Sequence, residues 1–181
     1  MNLFGLVLLL AIRDVNGIDR NPLRVDAGKA NALFFISYEC PISNSFAREI
    51  ARICADYKSK GIGCDLVYVD PSISDGQARQ HSQEYGHGDY PRIVDRKHEL
   101  VRATGVTVTP ETAVVDRTGK VVYRGRIDDS FAALGQPRRS VKDADLRNAL
   151  DAVVAGKPVE KPETKALGCF ISDFVSSKHE R

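Results

Sequence analysis

The chain has 181 residues, enough for one domain with a sizeable core, and its 43% hydrophobic and 28% charged content is that of an ordinary soluble globular protein. Twenty-six Lys and Arg against 24 Asp and Glu leave a net charge of +2, so no nucleic-acid partner is expected and nothing pulls toward acidic substrates. Four cysteines, at positions 40, 54, 64 and 169, form no Cys-x-x-Cys pair, which argues against a disulfide-scaffolded mini-protein and against zinc. His81, His87, His98 and His179 stand at no ligand spacing from a cysteine pair and read as solvated side chains; no metal and no cofactor are expected.

The apolar run Leu3 to Ile12 has about half the length of a membrane span. No Lys or Arg precedes it, so residues 1–11 read either as a truncated or atypical export signal or as an N-terminal strand. Apolar and polar residues then alternate around Asn16-Gly17, which predicts a small hairpin. Asn31 to Ser37 is a buried core strand. After Cys40-Pro41 the apolar spacing becomes helical, at Phe46, Ile50, Ile53, Cys54 and Tyr57, until Lys58-Ser59-Lys60-Gly61 ends it. Cys64 to Val69 is a second buried strand, and strand, helix, strand with few residues to spare makes a right-handed parallel unit. A polar helix over Asp75 to Tyr85, a loop over Gly86 to Pro91 and a weak helix over Lys97 to Thr104 follow. Glu111 to Asp116 and Lys120 to Arg124 form an antiparallel hairpin around Arg117-Thr118-Gly119. Ala144 to Val154 is a final amphipathic helix closed by Gly156 and Pro158, and residues 157–164 form an extended linker to Gly168-Cys169-Phe170-Ile171. This order predicts an α/β sandwich on a central mixed sheet flanked by helices, with an N-terminal hairpin extension, over residues 12–156, and a tail over 157–181 that carries Cys169.

The strand-to-helix junction concentrates the chemistry. Proline is favoured at the first helical position, so Pro41 puts Cys40 at or beside the N-cap, where free backbone N–H groups and the helix dipole favour a thiolate; Glu39 opposes them. Cys54 on the apolar helix face and Cys64 opening a buried strand read as core residues, with a disulfide between them as the alternative in an oxidising compartment.

The segment Phe34-Phe35-Ile36-Ser37-Tyr38-Glu39-Cys40-Pro41, the later Val108-Thr109-Pro110, and Val114-Val115-Asp116-Arg117-Thr118-Gly119-Lys120-Val121-Val122-Tyr123-Arg124-Gly125 together resemble the thioredoxin fold. Specifically, they are similar to redoxins of the alkyl hydroperoxide reductase/thiol-specific antioxidant type. The resemblance implies a cis Thr109-Pro110 bond beside the active cysteine, with Pro41, Thr109, Pro110 and Glu111 contacting an extended substrate. Relatives of this type are often exported, which favours a periplasmic or secreted location over the cytoplasmic alternative. Departures matter too. Ser43 stands where thioredoxin has its second cysteine, and Asn44 where copper-delivery relatives have theirs. Ser37 fits the hydroxyl position of the peroxidase motif, but Leu33 replaces its proline.

The resulting expectation is a thiol-dependent oxidoreductase. Cys40 would attack a protein or small-molecule disulfide, or a hydroperoxide, and Cys169, in the same chain or across a homodimer, or an external thiol reductant would resolve the product. Ser43 would donate to the thiolate, and Arg124 or Arg126 would polarise a peroxide. The rival reading is a redox-inactive binding module that holds a peptide or partner domain near Pro110.

Overall fold

The computed structural model describes residues 11–172, so the reading of residues 1–11 as a leader or strand falls almost wholly outside the described residues, as does His179. The N-terminal hairpin pairs β1 (Ile12–Arg13) with β2 (Asp19–Arg20) across a loop longer than the two-residue turn that Asn16-Gly17 suggests. Asp14 sets that length, because its buried carboxylate accepts from the N–H groups of Asn16 (2.8 Å) and Ile18 (3.0 Å) and from Arg20 Nε (3.0 Å).

The central strand is β3 (Ala30–Ile36), every residue of which is buried. Its period of two sends Ala32, Phe34 and Ile36 to one face and Leu33 and Phe35 to the other. On the first face lies the helical segment after Cys40. It is split into α1 (Pro41–Ser45) and α2 (Ala47–Lys58) at Phe46, whose N–H turns back to Ser43 O and Asn44 O, rather than running unbroken to Tyr57. Ile50, Ile53, Cys54 and Tyr57 of α2 pack on the sheet. The chain then returns as β4 (Ile62–Tyr68), parallel to β3, and after α3 (Asp75–Glu84) as β5 (Arg92–Val94), parallel to β4.

After α4 (Glu99–Thr104), β6 (Val108–Thr109) leads into β7 (Glu111–Asp116), antiparallel to β3, and β8 (Val121–Gly125), antiparallel to β7. A small hairpin of β9 (Phe131–Ala133) and β10 (Gln136–Pro137) precedes α5 (Asp145–Val154), and the tail ends in β11 (Cys169–Phe170). The five-stranded sheet has the order β5-β4-β3-β7-β8, mixed as expected. α2 and α5 cover one face with Leu146, Ala149 and Leu150. α4 and Ile171 of the tail cover the other with Leu100 and Val101. Sequence periodicity missed β5, β6 and the β9–β10 hairpin because each runs only two or three residues, too short for an alternation to register.

One open alternative is decided and one expectation is corrected. Cys54 and Cys64 are disulfide-bonded, tying α2 to the strand beside it with Cα atoms 6.0 Å apart. Three of the histidines are buried rather than solvated, at 6–7% exposure for His81, His87 and His98, because each ring nitrogen that reaches inward finds an oxygen partner. The sequence separation of 10 residues makes the Cys54–Cys64 loop short, for which the chain-entropy model gives about 3 kcal/mol. Replacing both by alanine is expected to lower the unfolding free energy by about that amount, measured by urea denaturation of the oxidised protein.

Candidate active site

Beyond β3 the chain makes a tight turn, with the Cys40 N–H donating to Ser37 O at 3.2 Å, and α1 begins at Pro41 with Cys40 as an extended N-cap (φ −82°, ψ 111°). Asp70, just past β4, fastens this turn: its carboxylate accepts from Ser37 Oγ (2.9 Å) and from the Tyr38 N–H (3.0 Å). Asn44 fastens the other side, donating through Nδ2 to Tyr38 O at 3.1 Å. Its Oδ1 lies 3.0 Å from His81 Nε2, and His81 Nδ1 lies 3.0 Å from the Tyr68 hydroxyl. With Asn44 Oδ1 accepting, Nε2 carries the proton of the neutral ring, and the one Tyr68 hydroxyl proton is shared between His81 Nδ1 and Ala78 O, 3.1 Å away. Burial lowers the His81 pKa and so favours that neutral form. Tyr38, on the same turn, engages the neighbouring Glu39 carboxylate with its hydroxyl (2.9 Å).

Across from Cys40, the Thr109–Pro110 bond is cis. Cys40 Sγ sits 3.4 Å from the Thr109 carbonyl oxygen, and Cys40 is only 2% exposed. The tail arrives at the same point. Cys169 pairs with Thr109 and Phe170 with Val108 in antiparallel register, the Ile171 N–H donates to Thr107 O at 3.2 Å, and Cys169 is disulfide-bonded to Cys40 within the one chain. The Cα atoms of the two cysteines are 6.3 Å apart, 129 residues apart in sequence. A model of the Redoxin family matches residues 24–136.

The chain belongs to the Redoxin family. This redoxin is similar to an uncharacterized conserved protein of Geobacillus kaustophilus, with 28% identity and a TM-score of 0.77 over 89% of this chain and 86% of that one. It is also similar to a hypothetical protein of Sinorhizobium meliloti, with 27% identity and a TM-score of 0.76 over 89% and 88% of the two chains. A secreted Mycobacterium tuberculosis disulfide oxidoreductase shares the fold, with a TM-score of 0.54 over 81% and 94% at 14% identity. No curated protein matches the chain. Family membership carries a thiol-dependent redox function in general terms, on the thioredoxin-like fold that the sequence implied.

Of the sequence-derived site residues, the redoxin's structure brings Cys40, Pro41, Thr109 and Cys169 together. Others serve different ends. Ser43 is fully buried, and its Oγ accepts from the Ser37 N–H at 3.5 Å. Glu111 does not face outward to a substrate: its Oε2 accepts from the Thr107 (2.8 Å) and Val108 (3.3 Å) N–H groups and so shapes the segment before Pro110. Burial still pushes its carboxyl pKa up against those two donors. Arg124 donates to Gly105 O (2.7 Å) and pairs with Glu163, while Arg126 pairs with Asp145 at 2.6 Å, so both guanidiniums are already engaged by protein groups. Among the described residues no cluster could hold a metal ion. Asp70 carries no motif signal beyond its place directly after a buried strand, and Asn44, noted only as standing where copper-delivery relatives have a cysteine, gives no sign of its structural role.

His87 supplies a measurable consequence. Burial, reinforced by the neighbouring His81 and Arg92, lowers its pKa from 6.5 to about 4. The unfolded chain therefore binds a proton below pH 6.5 that the folded ring refuses, so the stability from this group is complete above that pH and is lost as pH falls toward 4. Burial raises the carboxyls of Asp65, Asp95 and Glu111, which act in the opposite sense. The difference between wild type and His87→Gln isolates the imidazole and is expected to shrink by up to about 3 kcal/mol between pH 7 and pH 4 in urea titrations.

Proposed function

We propose that this redoxin is a thiol-dependent oxidoreductase whose working couple is Cys40 and Cys169, with residues 12–156 as the redox unit and residues 157–181 as a tail that delivers the second thiol. The observation that carries the reading is the disulfide between a cysteine 2% exposed at a helix start and one borne by an exposed terminal strand. In the reduced protein the Cys40 thiolate attacks the oxidant. With a hydroperoxide, the O–O bond breaks, the hydroxyl oxygen goes to Cys40 as a sulfenic acid, and the leaving alkoxide takes a proton from water and departs as the alcohol. Cys169 then attacks that sulfur, an S–S bond forms, and water leaves. With a disulfide, the oxidant's S–S bond breaks, one thiolate leaves, and Cys169 displaces the other from the mixed disulfide. In both cases two electrons pass from the thiol pair to the oxidant, and an external dithiol restores them.

The rival, a redox-inactive binding module, rests on Ser43 standing where a second motif thiol would be; the tail thiol counts against it. Two disulfides favour an oxidising, extracytoplasmic setting. Among the described residues no helix is long and apolar enough to cross a membrane.

The test is turnover of hydrogen peroxide, and separately of cystine, with dithiothreitol as reductant. Cys40→Ser is expected to lower the rate roughly 1,000-fold or more. Cys169→Ser should leave the first oxidation of Cys40 intact in a single turnover and slow steady-state turnover about tenfold or more at limiting reductant. Unchanged turnover in Cys40→Ser would end this reading.

A further inference from the structure

The tail does more than carry a thiol: it fills a backbone edge. A polypeptide bringing a disulfide to Cys40 in extended form would need unpaired backbone groups to pair with, and β6 lies beside the sulfur to provide them. Here the edge is taken. The Thr107 and Val108 N–H groups are tied to Glu111, the Thr107 carbonyl accepts from Ile171, and Cys169 and Phe170 lie in register against Thr109 and Val108.

None of the anchors that hold this strand uses a sulfur atom. Ile171 is 3% exposed and belongs to the core cluster that contains Leu33, Phe35, Val67, Leu100 and Val106. Gly168 lies flat on the Thr109 peptide, where a Cβ would stand 1.9 Å from the carbonyl oxygen and 2.5 Å from its carbon, so no other residue fits. Upstream, the Arg124 N–H donates to Pro162 O (2.9 Å), the Thr164 N–H donates to Arg124 O (3.0 Å), and Thr164 Oγ1 accepts from the Arg126 N–H (3.1 Å) and lies 2.8 Å from the Tyr123 hydroxyl. Opening the Cys40–Cys169 bond removes none of these contacts.

We infer that residues 168–171 are a built-in occupant of the edge beside Cys40 in both oxidation states, so that the couple serves small oxidants and excludes disulfides presented in extended polypeptides. The inference rests on the Cys40/Cys169 couple proposed above and names the class of oxidant that reaches it. The covalent steps are those already written, with the hydroperoxide or low-molecular-weight disulfide accepting the two electrons. A polypeptide disulfide gains access only when the strand is unseated.

Two readouts test it on the full chain. The first is hydrogen exchange of the Ile171 amide in the reduced protein, expected to be slowed about 100-fold or more relative to unstructured chain; exchange at the free rate once the disulfide is opened would overturn the inference. The second is rapid-mixing oxidation of Cys40 by hydrogen peroxide and by a synthetic extended peptide carrying an intermolecular disulfide, in wild type, Gly168→Ala and Ile171→Ala. The variants are expected to speed the peptide reaction about tenfold or more and to leave the peroxide rate within about twofold. A peptide that oxidises wild type as fast as it does the variants would contradict an occupied edge. Should a variant lose its fold by circular dichroism, the peptide-to-peroxide rate ratio of wild type and its exchange protection still decide, a ratio near unity or a free amide overturning the inference. Cys40 inert to both oxidants, with the Ile171 amide still protected, would overturn the couple itself, a failure separate from an open edge.

Discussion

The antiparallel seating of Cys169 and Phe170 on Val108 and Thr109, locked by Ile171 in the core, is the constraint on which the redox geometry depends. Burying one isoleucine contributes about 1.5–3 kcal/mol, and each backbone hydrogen bond about 1 kcal/mol net. Closing a loop of 129 residues by the disulfide contributes about 5 kcal/mol in the chain-entropy model. The covalent link thus stabilises more than any single anchor, yet the non-covalent anchors are of the size needed to keep the thiol local after reduction. In the proposed cycle a thiol tethered in this way acts at an effective concentration in the millimolar range or above, so that the tail takes the place of a partner four residues or fewer from Cys40 in the chain.

That arrangement accounts for what would otherwise be an incomplete motif. Ser43 leaves no second thiol in α1, and its hydroxyl is used inside the turn, against the Ser37 N–H. Ser37 is likewise held by Asp70. The turn carrying Cys40 is thereby fixed from both sides, by Asp70 from the sheet and by the Asn44–His81–Tyr68 chain from α3 and β4. Facing it, the Glu111 carboxylate organises the segment that receives the tail. Of the residues that the resemblance assigns to substrate, Glu111 is here spent on positioning.

Much of the fold was legible because long elements declare themselves. The seven buried residues of β3 and the i, i+3, i+4 spacing of α2 are signals that tertiary context reinforces. β6 and β11 were not legible, since two residues carry no period and each exists only because the other supplies hydrogen bonds from far along the chain. Cys40 and Cys169 could be singled out by what surrounds them in sequence. The roles of Glu111, Arg124 and Arg126 could not, because a charged side chain near a motif gives no sign of whether it faces solvent, substrate or a backbone N–H. The pairing of Cys54 with Cys64 was open for a similar reason: two cysteines at core positions look the same in sequence whether bonded or free, and only the register of α2 on β4 brings them together.

The central claim is that Cys40–Cys169 is a reversible couple and Cys54–Cys64 a structural bond. It is tested most directly by equilibrating the protein in glutathione buffers of graded potential and mapping all four cysteines by differential alkylation. The account predicts that Cys40 and Cys169 titrate together as a two-electron pair, reversibly from either direction, while Cys54 and Cys64 remain bonded until the potential is far more reducing. It is contradicted if Cys40 and Cys169 fail to form a common disulfide at any potential, or if the Cys54–Cys64 bond opens first.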